Sequence, residues 1–447
     1  MRPPFLLLLL LVPLVAVLAA SCSNGSEGGD APVLTESASP TTAAIDAAGT
    51  STPGPLPASP TGRAEGPAEH EAERALTHIG ELSREPRVSG TPGEARAAEY
   101  IAARFGSSGY TVDVMEFEFD GDRFRAGEVT YDGMTIEALT LAGSPGGSVS
   151  APAVFVGLAD EAGIGGRDLT GKVAVAERGV LNFGVKYENV KAAGAIGLVV
   201  VNNRPGSFSG NLATGASIPV AGVSQEDGAG VIEAAKEGRE VGLTAPPTVG
   251  LTTALNVLAR PAANAQCKVL IGAHFDTVPS APGANDNASG TANVIELARA
   301  LAADGLDDGV CFAAFGAEES GLYGSKALAE RLRAEGALPR YMVNLDVTGI
   351  GTQVEVIGDG PLAQAALALA AAAGIPAIPS RLPPNTGSDH TSFIDAGVPT
   401  VFFTSGEFST IHSPQDIAGD INSTMLDHVG DLALLVVKDL LTEVAQD

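Results

Sequence analysis

The sequence predicts an α/β protein, with a mostly parallel sheet covered by helices and a smaller β-rich unit set into it. Three observations predict this. Near-continuous apolar runs of strand length at Lys268–Ala273, Val310–Phe315, Met342–Leu345 and Val401–Phe403 read as strands buried on both faces, as in a parallel sheet under helices. Helical segments at Ala292–Ala303 and Ala363–Ala373 alternate with them. Between residues 128 and 250 the texture changes: glycine becomes dense and shorter apolar runs recur at Lys172–Ala176, Ile196–Val201 and Ile218–Val223, with a helix at Lys186–Ala193. That stretch is a small unit with its own core, the alternative being a continuation of the main sheet.

With 447 residues there is material for two cores. A formal net charge of −27 excludes nucleic acid as a partner, because phosphate binding needs clustered Lys and Arg. Arg2 followed by the apolar run Phe5–Ala20 suits a signal sequence and is short for a membrane span of about 20 residues. The run ends in Leu18-Ala19-Ala20-Ser21-Cys22, which resembles a bacterial lipobox, with Ala19 where Leu is more usual. The expectation is a signal peptide over 1–21 and an exported chain held on the extracytoplasmic face of the cell membrane through lipidated Cys22, with simple secretion as the alternative. Residues 22–68 are Ser, Thr, Pro, Gly and Ala with hardly a large apolar side chain. Such a segment buries too little surface to offset its ordering entropy and reads as a flexible tether.

The larger domain is expected over 69–127 and 251–447, with the smaller unit over 128–250. Thr91-Pro92-Gly93-Glu94 reads as a helix start with a capping box. Ala95, Ala98, Ile101, Ala102 and Phe105 line one face of that helix, Gly106 can end it, and an alternating strand follows at Thr111–Phe119.

Chemistry gathers where the apolar runs end. The first runs into His274-Phe275-Asp276, the second leads to Glu318-Glu319, the third to Asp346, and His412 follows the fourth. In open α/β sheets, sites form at the carboxyl ends of strands, so His, Glu and Asp converge on one edge. Each alone is commonplace; the ordered set is not. Two divalent ions about 3.5–4 Å apart need a bridging carboxylate plus imidazole and carboxylate ligands on each side. Zinc suits such a mixed donor set. A further side chain must move the proton from water to the leaving amine, and adjacent Glu318 and Glu319 meet that need if only one of them ligates.

The stretches "AHFDTV", "GANDNASG", "FGAEESGLYGS", "NLDVTG", "GSDHTSF" and "IHSPQD" resemble metallopeptidase family twenty-eight, the dizinc aminopeptidases, from about Leu82 to the C-terminus. "LTGKVAVAERG", "NVKAAGAIGLVVVNN" and "IPVAGVSQEDG" resemble the protease-associated domain inserted in several exported peptidases. The resemblance implies a three-layer α/β/α peptidase domain with a mostly parallel mixed sheet, acting as a monomer on peptides with a free N-terminus. It implies two Zn2+ ions, one held by His274 and Asp346, the other by Glu319 and His412, with Asp286 bridging and a cis peptide between Asp286 and Asn287. Glu318 would be the general acid/base. Asp276 would complete the catalytic set by fixing the His274 ring, and Asp416 is a weaker candidate for a supporting acid. Two points depart from the pattern or lie outside it. Ile411 stands where a Tyr often precedes the last His ligand and supplies an oxyanion donor. The loop Leu382–Gly387 is expected to shape the substrate pocket, without revealing a preference.

Rival readings are a carboxypeptidase, with Arg381 as the nearest cation for a terminal carboxylate, a glutaminyl-cyclase-like relative using one zinc, and a surface-anchored binding protein without catalysis. Finally, Cys267 and Cys311 precede His274 and Glu318 by equal numbers of residues. If His274 and Glu318 lie level on parallel neighbouring strands, as the resemblance implies, the cysteines also lie level and can bridge. The alternatives are two small buried thiols, or a register slip that turns them apart.

Overall fold

A computed structural model describes residues 69–121, 124–212, 215–247, 250–305, 308–382 and 386–444. The signal segment, Cys22 and the tether lie outside the described residues, as does 383–385 of the loop Leu382–Gly387. Among the described residues no helix is long and apolar enough to cross a membrane.

The first strand, β1 (Thr111–Asp120), precedes seven shorter ones: β2 (Ala126–Tyr131), β3 (Met134–Thr140), β4 (Gly147–Phe155), β5 (Val173–Glu177), β6 (Gly197–Val201), β7 (Val220–Val223) and β8 (Glu240–Ala245). Then come β9 (Leu251–Arg260), β10 (Val269–His274), β11 (Val310–Phe315), β12 (Tyr341–Leu345), β13 (Val354–Ile357), β14 (Ala377–Ser380) and β15 (Thr400–Thr404). These later strands join β1 in an eight-stranded sheet ordered β1-β9-β11-β10-β12-β15-β13-β14. Its centre, β11-β10-β12-β15, is parallel throughout, while β9 and β13 run antiparallel to their inner neighbours.

Strand periodicity sends alternate residues to opposite faces, and both faces are covered. Val269, Ile271 and Ala273 pack with the helices Ala72–Leu82, Pro92–Ser107, Ser289–Asp304 and Ser423–Val444. Leu270, Cys311, Ala313 and Phe315 pack instead with Leu328 and Leu332 of the helix Tyr323–Ala334 and with Phe393. The result is the three-layer α/β/α domain with a mixed, mostly parallel sheet.

Strands β2 to β8 close into a separate barrel ordered β2-β3-β7-β6-β5-β4-β8. It has its own apolar clusters, one around Val129, Val175, Val199 and Leu243 and another around Leu141, Tyr187, Leu198 and Phe208. The alternative of a continued main sheet is therefore excluded. The chain enters the barrel from β1 and returns through β9, and those two strands are antiparallel partners with Asp120 opposite Leu251.

Two local expectations change in detail. The helix Pro92–Ser107 starts after Thr91, but the Thr91 hydroxyl bonds back to Val88 O and caps nothing. Glu94 accepts from Gly90 N (2.7 Å) and, across the domain, from Leu255 N (3.1 Å), so it ties the helix start to β9. Cys267 and Cys311 form a disulfide with Cα atoms 5.4 Å apart. The route differs from the equal-offset argument: His274 lies opposite Phe315, not Glu318, and Cys311 lies opposite Leu270. Cys267 reaches its partner from the turn before β10, and both pack in the cluster on that face of the sheet.

Candidate metal centre

Each candidate side chain is delivered by the end of a central strand or the loop beyond it. His274 closes β10, Glu318 and Glu319 occupy the turn after β11, Asp346 follows β12, and His412 lies in the loop after β15. Asp286 lies in the tight turn Ala284–Ala288 that leads into the helix Ser289–Asp304, and its peptide to Asn287 is cis. A Cβ on Gly290 would stand 2.4 Å from Leu345 O, so glycine there lets this helix start close to β12 and brings the Asp286 turn to the site.

All five candidate ligands and Glu318 come together. Asp286 stands between the two histidines, with Oδ1 3.2 Å from His274 Nε2 and Oδ2 3.1 Å from His412 Nε2. His274 Nε2 is also 3.2 Å from Asp346 Oδ1, and His412 Nε2 is 3.0 Å from Glu319 Oε2. Two groups of donor atoms, each within 4.8 Å of one another, result: His274, Glu318 and Asp346, and Asp286, Glu319 and His412. The first is deep, with His274 1% exposed; the second opens to solvent at His412, whose side chain is 32% exposed.

The electrostatics describe a centre with too many carboxylates for its cations. Burial pushes the Glu318 carboxyl well above its ordinary range, helped by Glu319, Asp346 and Asp389, and His274 only partly offsets this. Glu319 is raised by burial and by Asp286. Burial works against the charged His274 imidazole, but Asp346 and Glu318 more than offset it and hold the ring well above its usual value. His412 is raised in the same way by Glu319 and Asp286. Asp286 goes the other way: burial opposes it, yet bonds from both imidazoles hold it low. Glu319 Oε1 is buried without a hydrogen-bond partner, a costly state for a carboxylate oxygen. Divalent cations between these oxygens and the imidazole Nε2 atoms would relieve the repulsion and supply that partner, so the residues fit a pair of metal ions.

The supporting acids carry a task beyond the expected one. His274 Nδ1 lies closer to the backbone oxygen of Asp276 (3.2 Å) than to its carboxylate (3.5 Å). That carboxylate also accepts from Glu318 N (3.0 Å), Glu319 N (3.3 Å) and Ser89 Oγ (3.3 Å), so it holds the Glu318-Glu319 turn. Asp416 does the same for the bridging position, accepting from Asn285 N (2.6 Å) and Asp286 N (3.0 Å). Its own carboxyl is pushed by burial up to about 6. Arg381, the cation of the carboxypeptidase reading, is exposed and pairs with Asp359 at 3.0 Å.

Several supporting residues were not singled out by the sequence. Ser388 donates to Asp346 Oδ2 (2.7 Å) and Thr291 to His274 O (2.7 Å). Arg87 is fully buried and donates to the carbonyls of Phe275, Pro282 and Gly283, clamping both ends of the loop between His274 and Asp286. Of these, Ser388 lies within the stretch "GSDHTSF".

The α/β/α fold and its two clusters of donor atoms mark a candidate metal centre, and comparison with known proteins identifies the family. Residues 256–437 match the profile of Peptidase family M28, and residues 138–230 match that of the PA domain. Over 401 residues the chain is 31% identical to aminopeptidase YwaD of Bacillus subtilis, covering 82% of this chain and 84% of that protein. The solved structure of BSAP, a zinc aminopeptidase from Bacillus subtilis, superposes with a TM-score of 0.72 at 28% identity, covering 83% of this chain and 95% of that one. The probable lipoprotein aminopeptidase LpqL of Mycobacterium tuberculosis is 33% identical over 267 residues, 55% of this chain and 51% of that protein. The chain belongs to Peptidase family M28 and carries an inserted PA domain.

Proposed function

We propose that this chain is an exported, lipid-anchored aminopeptidase that removes N-terminal residues from peptides with two zinc ions. The observation that carries the proposal is Asp286, which presents one oxygen toward His274 and the other toward His412. His274 and Asp346 would hold one ion, Glu319 and His412 the other, and Asp286 both. Zinc at such a site acts as a Lewis acid and lowers the pKa of bound water from about 15.7 toward ~7.

The remaining steps belong to the chain. Glu318 reaches the His274–Asp346 group without pairing with either imidazole. As general base it takes a proton from the attacking water; as general acid it returns that proton to the leaving amine. Asp276 fixes the turn bearing Glu318 and Glu319, and Asp416 fixes Asp286. The open side at His412 admits the substrate. Ile411 offers no hydroxyl to the oxyanion.

Export is supported by the Cys267–Cys311 disulfide, which belongs to an oxidising compartment, by the lipobox-like ending at Cys22, and by the similarity to the mycobacterial relative named as a probable lipoprotein aminopeptidase. The proposed domain bounds are 1–21 for the signal peptide, 22–68 for the tether, 69–127 with 251–447 for the peptidase, and 128–250 for the PA insertion.

The test compares N-terminally free with N-blocked peptides, with and without a chelator, alongside metal content. Hydrolysis confined to free N-termini, abolished by chelation and restored by zinc at two ions per chain, is expected. Equal cleavage of blocked peptides, or full activity in chelator, would refute the reading.

A further inference from the structure

The PA barrel touches the peptidase domain at a telling place. The loop that carries His412 is met by the barrel segment between β6 and β7. Gln415 Nε2 donates to Pro205 O (3.1 Å), and Arg204 donates to Ser409 O. Gly206 lies against Pro414, where a Cβ would come within 2.9 Å of its ring. Barrel and loop are thus in close contact on both sides of His412.

The contacts then converge on one atom. Ser280 Oγ, from the segment after β10, donates to His412 O (3.1 Å), and barrel Ser209 N donates to the same oxygen over a longer 3.4 Å. Ser209 Oγ and Ser280 Oγ are 3.0 Å apart. Each hydroxyl has a single proton. Ser280 spends its own on His412 O, so the Ser209 hydroxyl must donate to Ser280. The relay therefore runs one way, from the barrel through Ser280 to the His412 carbonyl.

That carbonyl belongs to a strained residue. His412 has φ +58°, in the left-handed region, unfavourable for a side chain with a Cβ. Such a conformation persists only where its surroundings over-determine it. The conformation matters because it aims the imidazole: Nε2 lies 3.1 Å from Asp286 Oδ2 and 3.0 Å from Glu319 Oε2. If the backbone relaxes, the ring leaves those carboxylates, while the His274–Asp346 pair on the far side of Asp286 has no contact with the relay.

We propose that Ser280 and barrel Ser209 are positioning residues for His412, so that the inserted domain is a working part of the second metal position rather than an appendage. This rests on the reading of His412 as a zinc ligand. Supporting groups that orient metal ligands typically change affinity by about 10–100-fold when removed.

The test uses the full mature chain and zinc itself. Ser280→Ala, the pair Ser209→Ala with Ser280→Ala, and Ser280→Thr are compared with wild type by chelator-competition titration, which resolves the two zinc affinities. Unfolding of the zinc-free proteins is followed in parallel. The expected result is loss of about 10–100-fold in one affinity, the other unchanged, the zinc-free unfolding midpoint unmoved, and recovery in Ser280→Thr. Wild-type affinities at both positions in the double variant overturn the inference and leave the dizinc reading standing. Parallel weakening of both positions with a lowered zinc-free midpoint also overturns it, since that is what a general folding role produces. Fewer than two zinc ions on the wild type would sink the dizinc reading, and the inference with it.

Discussion

Reducing the Cys267–Cys311 bridge should cost this protein a stability that can be worked out beforehand. The bridge spans 44 residues of chain. In the chain-entropy treatment, a loop of that length removes about 13 cal/mol/K from the unfolded ensemble, or roughly 4 kcal/mol at 25 °C. Both cysteines are buried, at 3% and 0% exposure, so reduction at the same packing leaves no exposed apolar surface to offset the loss. For a domain of this size about 4 kcal/mol corresponds to a fall of roughly 8–16 °C in unfolding temperature. The assay is denaturant and thermal unfolding of the zinc-free protein, oxidised and reduced, with the variant Cys267→Ala, Cys311→Ala beside them. Reduced protein and variant should both fall by that amount. If both stay within about 1 kcal/mol of the oxidised wild type, loop closure in the unfolded chain is not what the bridge contributes. Two reactive thiols besides Cys22 in the denatured, unreduced mature protein would remove the bridge altogether.

Other expected outcomes follow from the site and its supports. Glu318→Gln should lower kcat by about 10²–10⁴-fold with zinc content unchanged, checked by steady-state kinetics and metal analysis on the same sample. Asp416→Ala strands the Asn285 and Asp286 N–H groups in a buried place, at about 1–3 kcal/mol each, which denaturant unfolding of the zinc-free protein measures. Burial raises the Glu94 carboxyl from 4.5 to about 7. A carboxyl raised in the folded state contributes stability that is complete below pH 4.5 and lost as pH climbs through about 7. Glu94→Gln should therefore flatten the stability profile between those values, as read from unfolding at stepped pH.

The parts of this molecule legible in its sequence are those with a period or a spacing. Apolar runs gave β10, β11, β12 and β15 nearly to the residue, because a strand buried on both faces leaves no room for polar interruption. The site was legible for a related reason, since each of its acids and imidazoles follows a strand that could be found. Register was not legible. Glu318 lies beyond the end of β11, past Ala317 at φ +52°, so counting back from it misplaces the level of the neighbouring strand. Nor was the second task of Asp276 legible, because the sequence does not say that a carboxylate two residues from a His also holds the next turn. Hydroxyls such as Ser280 and Thr291 act through bonds across the fold, and no local pattern marks them.

The antiparallel pairing of β1 with β9 has a bearing on how such a protein can be remade. With Asp120 opposite Leu251, the barrel leaves and re-enters the peptidase through two neighbouring backbone positions. Topologically the whole PA domain is therefore a hairpin loop, and a turn of a few residues could close the same ladder without altering its register. A shortened chain of that kind would retain both faces of the sheet, the disulfide, and the acids that brace Glu318 and Asp286. What it would give up is lateral support for the loop after β15. Domain grafting at this junction thus offers a way to exchange the walls around the entrance while the hydrolytic floor stays in place, provided the replacement again presents a donor to the His412 carbonyl.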